Sequence, residues 1–196
     1  MIFKRDLKTV NDIEELKRYL KSILPVNKGG IISVDGKDGC GKTYVSKYLT
    51  TSFSLLHIEL DKFIKEKKDK FIDFINYKEL ALTINEALKC NHTIIIDGVC
   101  VLSVLQRLKL NPKYSIYVKR TNNRGCWLDA HYFDLESSPE VIFKKDKEEL
   151  REFSKLINQK YSEDEDDDLF HEIIKYHFDF KPHIKSDIIF ENIQPK

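Results

Sequence analysis

This sequence has almost no net charge. Lys and Arg number 33 against 32 Asp and Glu, a formal net charge of +1, so there is no basic footprint for nucleic acid. The charges are mixed along the chain, as on a solvated surface. Long apolar runs are missing too. No stretch approaches the ~20 residues that span a bilayer, and the opening Met-Ile-Phe-Lys-Arg-Asp has neither the apolar core nor the small-residue cleavage site of a secretory signal. Cys40, Cys90, Cys100 and Cys126 form no C-x-x-C pair and no Cys/His grouping with zinc spacing. Free thiols and a cytoplasmic location are the expectation, with no membrane partner. Repeats and low-complexity linkers are absent as well. The acidic run Glu163 to Asp168 is the one strong compositional block, read as the solvated N-terminus of a last helix, where negative charge complements the dipole.

At 196 residues the chain can bury a core without disulfides or metals, as one domain or one domain with an inserted lid. Its apolar residues alternate between two periods. Val10, Ile13, Leu16, Leu20, Ile23 and Leu24 recur at helical spacing, predicting a helix over 11–24 with Asn11 and Glu14 as a capping box. Pro25 and Gly29-Gly30 stop it. Ile31 to Val34 predicts a first strand, Ser54 to Leu60 a second, Thr93 to Ile96 a third buried on both faces, Tyr114 to Val118 a fourth and Asp187 to Phe190 a last. Helical patterns fall over 66–90, 101–110 and about 165–180. Strands alternating with helices predict a parallel sheet with helices on both faces. From about 120 to 160 the strand signal vanishes and charge rises.

One motif carries chemistry by itself. Gly36-Lys37-Asp38-Gly39-Cys40-Gly41-Lys42-Thr43 fits G-x-x-x-x-G-K-[ST] at every fixed position, between a predicted strand and a predicted helix. The glycines let the backbone turn its N–H groups inward toward phosphate oxygens, and the helix after them adds the positive end of its dipole. Lys42 is expected on the β and γ phosphates and the Thr43 hydroxyl on Mg²⁺. Candidate nucleotide contacts are Gly36, Asp38, Gly39, Cys40, Gly41, Lys42, Thr43 and the adjoining Tyr44. Cys40 is small enough to pack inside the loop; a redox role is the alternative.

Ligands of open α/β sheets bind outside the carboxyl ends of the strands, and Asp61 and Asp97 both follow predicted strands there. Asp97, after three isoleucines, has the pattern of an acid that holds Mg²⁺ beside the loop hydroxyl, or else caps a helix. Asp61 is placed to accept a proton from a substrate hydroxyl during phosphoryl transfer, or else caps a turn or pairs with Lys62 or Lys65. His57 and Glu59 read as paired or surface-facing.

In this order and spacing the sequence resembles the uridine kinase-like group of P-loop nucleoside kinases. Leu60-Asp61-Lys62-Phe63 stands where that group has a D-D-F-Y-type motif, Asp97-Gly98 where it has an acid-Gly pair, and Tyr176 to Pro182 followed by Ser186-Asp187-Ile188-Ile189 matches its C-terminal pattern. The likeness covers roughly 30–120 and 170–192. It implies a three-layer α/β/α P-loop NTPase fold with a parallel five-stranded sheet. Residues 1–196 would form a single kinase domain, with a helical lid at about 120–160. It also implies ATP and Mg²⁺ as cofactors, Asp61 as general base, and the segment after Pro182 near adenine. The group's lid carries an R-R-x-x-R-D pattern, from which this chain departs: it has Arg120 and Arg124, then Gly125-Cys126-Trp127-Leu128-Asp129. Arg124 is the candidate lid arginine, because a forked guanidinium suits charge on a transferring phosphoryl group; each arginine reads equally as a surface residue. Trp127, Tyr132 and Phe133 suit either stacking on a ring or core packing.

Two functions are consistent with these residues. One is a small-molecule kinase taking ATP and a hydroxyl acceptor, with a nucleoside first and a sugar or vitamin alcohol open. The other is a P-loop switch acting through a partner. A GTPase would need N-K-x-D after a later strand, and the one Asn-Lys, Asn27-Lys28, precedes the loop. A homo-oligomer is compatible with either. Acceptor specificity is expected in 62–80 and 120–165.

Overall fold

A computed structural model describes residues 7–24, 29–65, 71–90, 92–157 and 168–193. The acidic run is outside them except for Asp168, as is the start of the helix predicted from 66. The strands are β1 (Lys8–Val10), β2 (Gly30–Asp35), β3 (Leu56–Glu59), β4 (Thr93–Asp97), β5 (Tyr114–Thr121) and β6 (Ile188–Ile193). The helices are α1 (Ile13–Ile23), α2 (Lys42–Phe53), α3 (Tyr77–Lys89), α4 (Val101–Arg107), α5 (Ala130–Phe133), α6 (Pro139–Leu156), α7 (Asp168–Phe180) and α8 (Pro182–Lys185). No helix among the described residues is long and apolar enough to cross a membrane.

The sheet has six strands, not five, in the order β1-β6-β5-β2-β4-β3, all parallel. The extra strand is β1, pairing Lys8 with Ile188 and Val10 with Phe190. Three residues are too few to display a period of two, and Val10 fits the helical spacing of the segment after it. Accordingly α1 starts at Ile13, and its cap is Asp12 rather than Asn11: the Asp12 carboxylate accepts from the Glu14 and Glu15 N–H groups at 3.3 and 3.0 Å.

The central strands alternate between two cores, as a period of two requires. Ile31, Ile94 and Ile96 face one core with α3, α4 and α7; Ile32, Val34 and Ile95 face the other with α1 and α2. Each fully buried isoleucine contributes roughly 1.5–3 kcal/mol of transfer free energy. That pins the strand ends, and the β2 and β4 ends carry the residues of interest. Asp97 pairs in register with Val34 on one side and Glu59 on the other.

Two departures from the β-α alternation matter. After β3 the chain makes a 3-10 turn, Leu60–Phe63, and a second at Ile72–Phe74. The base of this excursion is closed by Asn76 N–H to Phe63 C=O at 2.7 Å and Lys65 N–H to Phe74 C=O at 3.0 Å. So β3 ends at Glu59, and Asp61 sits in the turn rather than directly after the strand. After β5 the chain turns at Asn122–Cys126 and enters α5 and α6. The described part of 120–160 is therefore largely helical, and α6 leans on α7, with the Phe143 and His171 rings 3.9 Å apart.

Candidate active site

The loop from Gly36 to Gly41 joins β2 to α2, and two of its glycines are sterically required. Gly36 has φ +150°, and a Cβ there would lie 2.6 Å from the Val118 carbonyl oxygen and 2.7 Å from Cys40 Sγ. Gly41 has φ +99°, and a Cβ would lie 2.5 Å from Asn192 Nδ2. That same Nδ2 donates to the Cys40 carbonyl at 2.8 Å, so the end of β6 clasps the loop from outside. Cys40 is buried, and burial pushes its thiol up to about 11, which keeps it protonated and packed.

Lys42, 8% exposed, donates from Nζ to the Lys37 carbonyl at 2.8 Å, folded across the loop. Beneath it lies Asp35, the last residue of β2 and fully enclosed. It accepts from the Gly36 N–H at 2.7 Å and from the Tyr176 hydroxyl of α7. Burial pushes this carboxyl up to about 6, against the pull of Tyr176, Gly36 and Lys42.

A cleft of about 280 Å³ opens where the strands end. The loop side supplies Asp38, Gly39, Gly41, Lys42, Thr43 and Tyr44; the facing side supplies Glu59, Asp61, Asp97 and Gly98. All the sequence-derived candidates except Gly36, Cys40 and Arg124 line it. Asp97 is 3% exposed; its Oδ1 is 2.9 Å from His57 Nε2, while its buried Oδ2 has no partner among the described residues. His57 is thus a paired residue, as expected, and its partner is the acid itself. Asp61 opens into the cleft. Desolvation by the surrounding walls raises its pKa; Lys42 lowers it, and the charges of Asp97, Asp38 and Glu59 raise it further. Lys62 does not reach for Asp61; it bridges Glu59 at 2.7 Å.

These residues fit a magnesium ion carried by a nucleotide. Magnesium is usually held through one or two carboxylates together with phosphates and water, not by an all-protein cage. No cluster of three metal-binding side chains is assembled among the described residues. Thr43 and Asp97, which both line the cleft, are the residues that would hold it; one oxygen of Asp97, buried, has no partner among the described residues.

Neither Arg120 nor Arg124 is among the residues lining the cleft. Arg124 sits in the exposed turn. Arg120 grips Asp129 with two bonds, Nη2 to Oδ1 at 2.6 Å and Nε to Oδ2 at 3.2 Å, and Lys37 of the loop adds a third at 3.0 Å. Burial alone would raise the Asp129 carboxyl; the bonds from Arg120 and Lys37 outweigh it and hold the group below the usual range. Sequence reasoning passed over both Asp129 and Asp35. Asp35 carried a local signal, an acid closing an apolar strand directly before the loop, whereas Asp129 carried none. Phe133 is core, stacked on His177 at 4.2 Å, and Trp127 packs against His183 at 5.1 Å; Tyr132 stays more exposed. In the Pro182 segment, Asp187 is tied to the Ser115 N–H and hydroxyl at 2.8 and 2.9 Å, and Asn192 reaches the loop.

No protein-family model matches the chain, and no curated protein matches it in sequence. Among solved structures, a possible uridine kinase from Bacillus stearothermophilus superposes with a TM-score of 0.51 at 12% identity, covering 91% of this chain and 97% of that one. The likeness is one of fold: both chains share an α/β architecture, here built on a six-stranded parallel sheet. A shikimate kinase from Bacteroides thetaiotaomicron overlaps more loosely, with a TM-score of 0.35 at 16% identity over 83% of this chain and 85% of that one. That overlap is too loose to bear on fold or function.

Proposed function

We propose that this chain is a small-molecule kinase that transfers the γ-phosphoryl group of Mg-ATP to a hydroxyl, with a nucleoside as the first acceptor to try. The observation that carries the reading is the 280 Å³ cleft, whose lining brings together Lys42, Thr43, Asp61 and Asp97.

Lys42 and the loop N–H groups would hold the β and γ phosphates, with Lys42 swinging from the Lys37 carbonyl to an anion that binds it more strongly. Thr43 and Asp97 would hold Mg²⁺, which when bound neutralises charge between those phosphates. Asp61 would take the proton of the acceptor hydroxyl as its oxygen bonds to the γ phosphorus, the bond to the bridging oxygen breaks, and ADP leaves. A carboxyl raised toward the working pH is a better base than an ordinary one. The 120–160 segment, with Arg120 or Arg124, would close over the reaction and exclude water.

ADP release with Mg-ATP across nucleosides, sugars and vitamin alcohols tests this. Turnover should depend on the acceptor and vanish in Lys42→Ala. Acceptor-independent hydrolysis, or ATP binding without turnover on any acceptor, would instead mark a regulatory P-loop module.

A further inference from the structure

A second cavity of about 180 Å³ opens off the phosphate cleft and shares Asp38, Lys42 and Asp61 with it. Away from that charged mouth its walls are apolar: Phe71 from the excursion after β3, Val99 behind β4, and Leu169 and Ile173 on one face of α7. Phe71, Val99 and Ile173 are buried, and Leu169 is half-buried. The wall is held in place. Glu172, between the two α7 residues, accepts from the Phe71 N–H at 2.6 Å and the Ile72 N–H at 3.2 Å. Its carboxylate is therefore committed to backbone.

The mouth and the walls select by different physics. An acceptor bearing a carboxylate or phosphate would meet Asp38 and Asp61, and Lys42 is the one cation among the described lining residues. Like charges at such range repel. A polyol would have to bury hydroxyls against side chains that cannot hydrogen-bond them. A flat ring meets neither obstacle, because its faces pack on Phe71 and the aliphatic walls. The space is smaller than the ~300 Å³ at which ordinary ligand pockets begin, so it takes one ring.

We infer that the acceptor, on the kinase reading above on which this rests, is an uncharged alcohol whose flat ring lodges in this cavity with its hydroxyl turned to Asp61. A nucleoside, with its base in the cavity, and a hydroxymethyl heteroarene both carry that chemistry. The transferred phosphoryl group replaces the hydroxyl proton, which passes to Asp61, and ADP leaves.

The test compares kcat/KM with Mg-ATP for uridine, pyridine-3-methanol, glucose, shikimate and UMP on the full chain. At least one of the two ring alcohols should exceed the other three by tenfold or more, and which of the two leads identifies the source of the ring. Glucose, shikimate or UMP as the best acceptor would overturn the inference and leave the kinase reading standing. Leu169→Ala, at a half-buried position, should raise KM for the ring alcohol about tenfold, within the 10–200-fold that apolar contacts discriminate, with the ATP KM unchanged. An unchanged acceptor KM would overturn the assignment of the wall. If no acceptor turns over, calorimetry of the ring alcohols with ADP and Mg²⁺ bound separates the two failures. Binding weakened by Leu169→Ala would keep the cavity and remove the kinase, whereas no binding would remove both.

Discussion

Replacing Asp61 by Asn keeps the size of the side chain and removes the base. Asp61 is exposed toward the cleft from a 3-10 turn, so the fold should lose no more than about 0.5 kcal/mol, the ordinary range for a surface substitution. The chemical step should lose far more. A positioned general base is worth roughly 10²- to 10⁴-fold in rate, or about 2.7–5.5 kcal/mol of activation free energy. The direction of the nucleotide effect separates this role from its rivals. Glu59, Asp97 and Asp38 already crowd the site with negative charge and push the Asp61 carboxyl up. Removing one charge should leave the ATP KM unchanged or lower it. Were Asp61 a metal or phosphate organiser, the ATP KM would rise instead. The pH profile adds a second reading. The base works when ionised, and its pKa is raised, so wild-type kcat should fall with acidification through a value above the ordinary ~3.9 of an aspartate. The variant should lack that limb. The assay is coupled ADP release under saturating acceptor from pH 5 to 8. An Asp61→Asn rate within twofold of wild type, or the same acid limb in both proteins, would refute the assignment.

Three other outcomes follow from the same geometry. His57→Ala should weaken Mn²⁺ or Mg²⁺ binding by about 10–100-fold, as losing a partner that orients a metal ligand does; electron paramagnetic resonance of Mn²⁺ with ADP reads this without turnover, and unchanged binding would dismiss His57 as an orienter of Asp97. Asp35, raised from 3.8 to about 6, binds its proton more tightly folded than unfolded, so its contribution is complete below about pH 4 and lost as pH rises through about 6, worth up to ~3 kcal/mol. Urea unfolding at pH 4.5 and 7 should therefore show Asp35→Asn gaining on wild type at the higher pH, and a constant gap between the two would contradict the burial of that charge. Asn192→Asp places an acceptor against the Cys40 carbonyl and should weaken binding of a fluorescent ATP analogue more than Asn192→Ala does, whereas equal affinities would mean the clasp is idle.

What the sequence disclosed was what its chemistry encodes locally. The loop is legible because its glycines, Lys42 and Thr43 are fixed by spacing within eight residues, and β2 and β4 because isoleucine runs of that length bury on both faces. Strand β1 was hidden by its shortness, and the sixth position in the sheet with it. The polar frame around the loop was hidden by distance. Lys37 finds Asp129 across 92 positions, and Tyr176 finds Asp35 across 141; no periodicity links such pairs. Nothing in the sequence near Arg120 reveals that a buried carboxylate, Asp129, claims it. Specificity is expected in 62–80 and 120–165; the proposed acceptor cavity draws Phe71 from the first stretch and Val99, Leu169 and Ile173 from outside both.

The placement of α7 explains why one helix can serve the loop and the acceptor cavity together. Leu169, Glu172, Ile173 and Tyr176 recur at three- and four-residue spacing, which puts them on a single face. Leu169 and Ile173 form cavity wall, Glu172 fixes the backbone that carries Phe71, and Tyr176 binds Asp35 at the root of the loop. Any rotation or slide of α7 must therefore move the acceptor wall and load or release the Asp35 bond at once. A bond to a buried carboxylate is costly to leave unmade, so the position of α7 that satisfies Asp35 is also the one that shapes the cavity. On the proposed reading, phosphate loop and acceptor cavity are thus held in register by one element, the condition an in-line transfer between two separately bound partners requires.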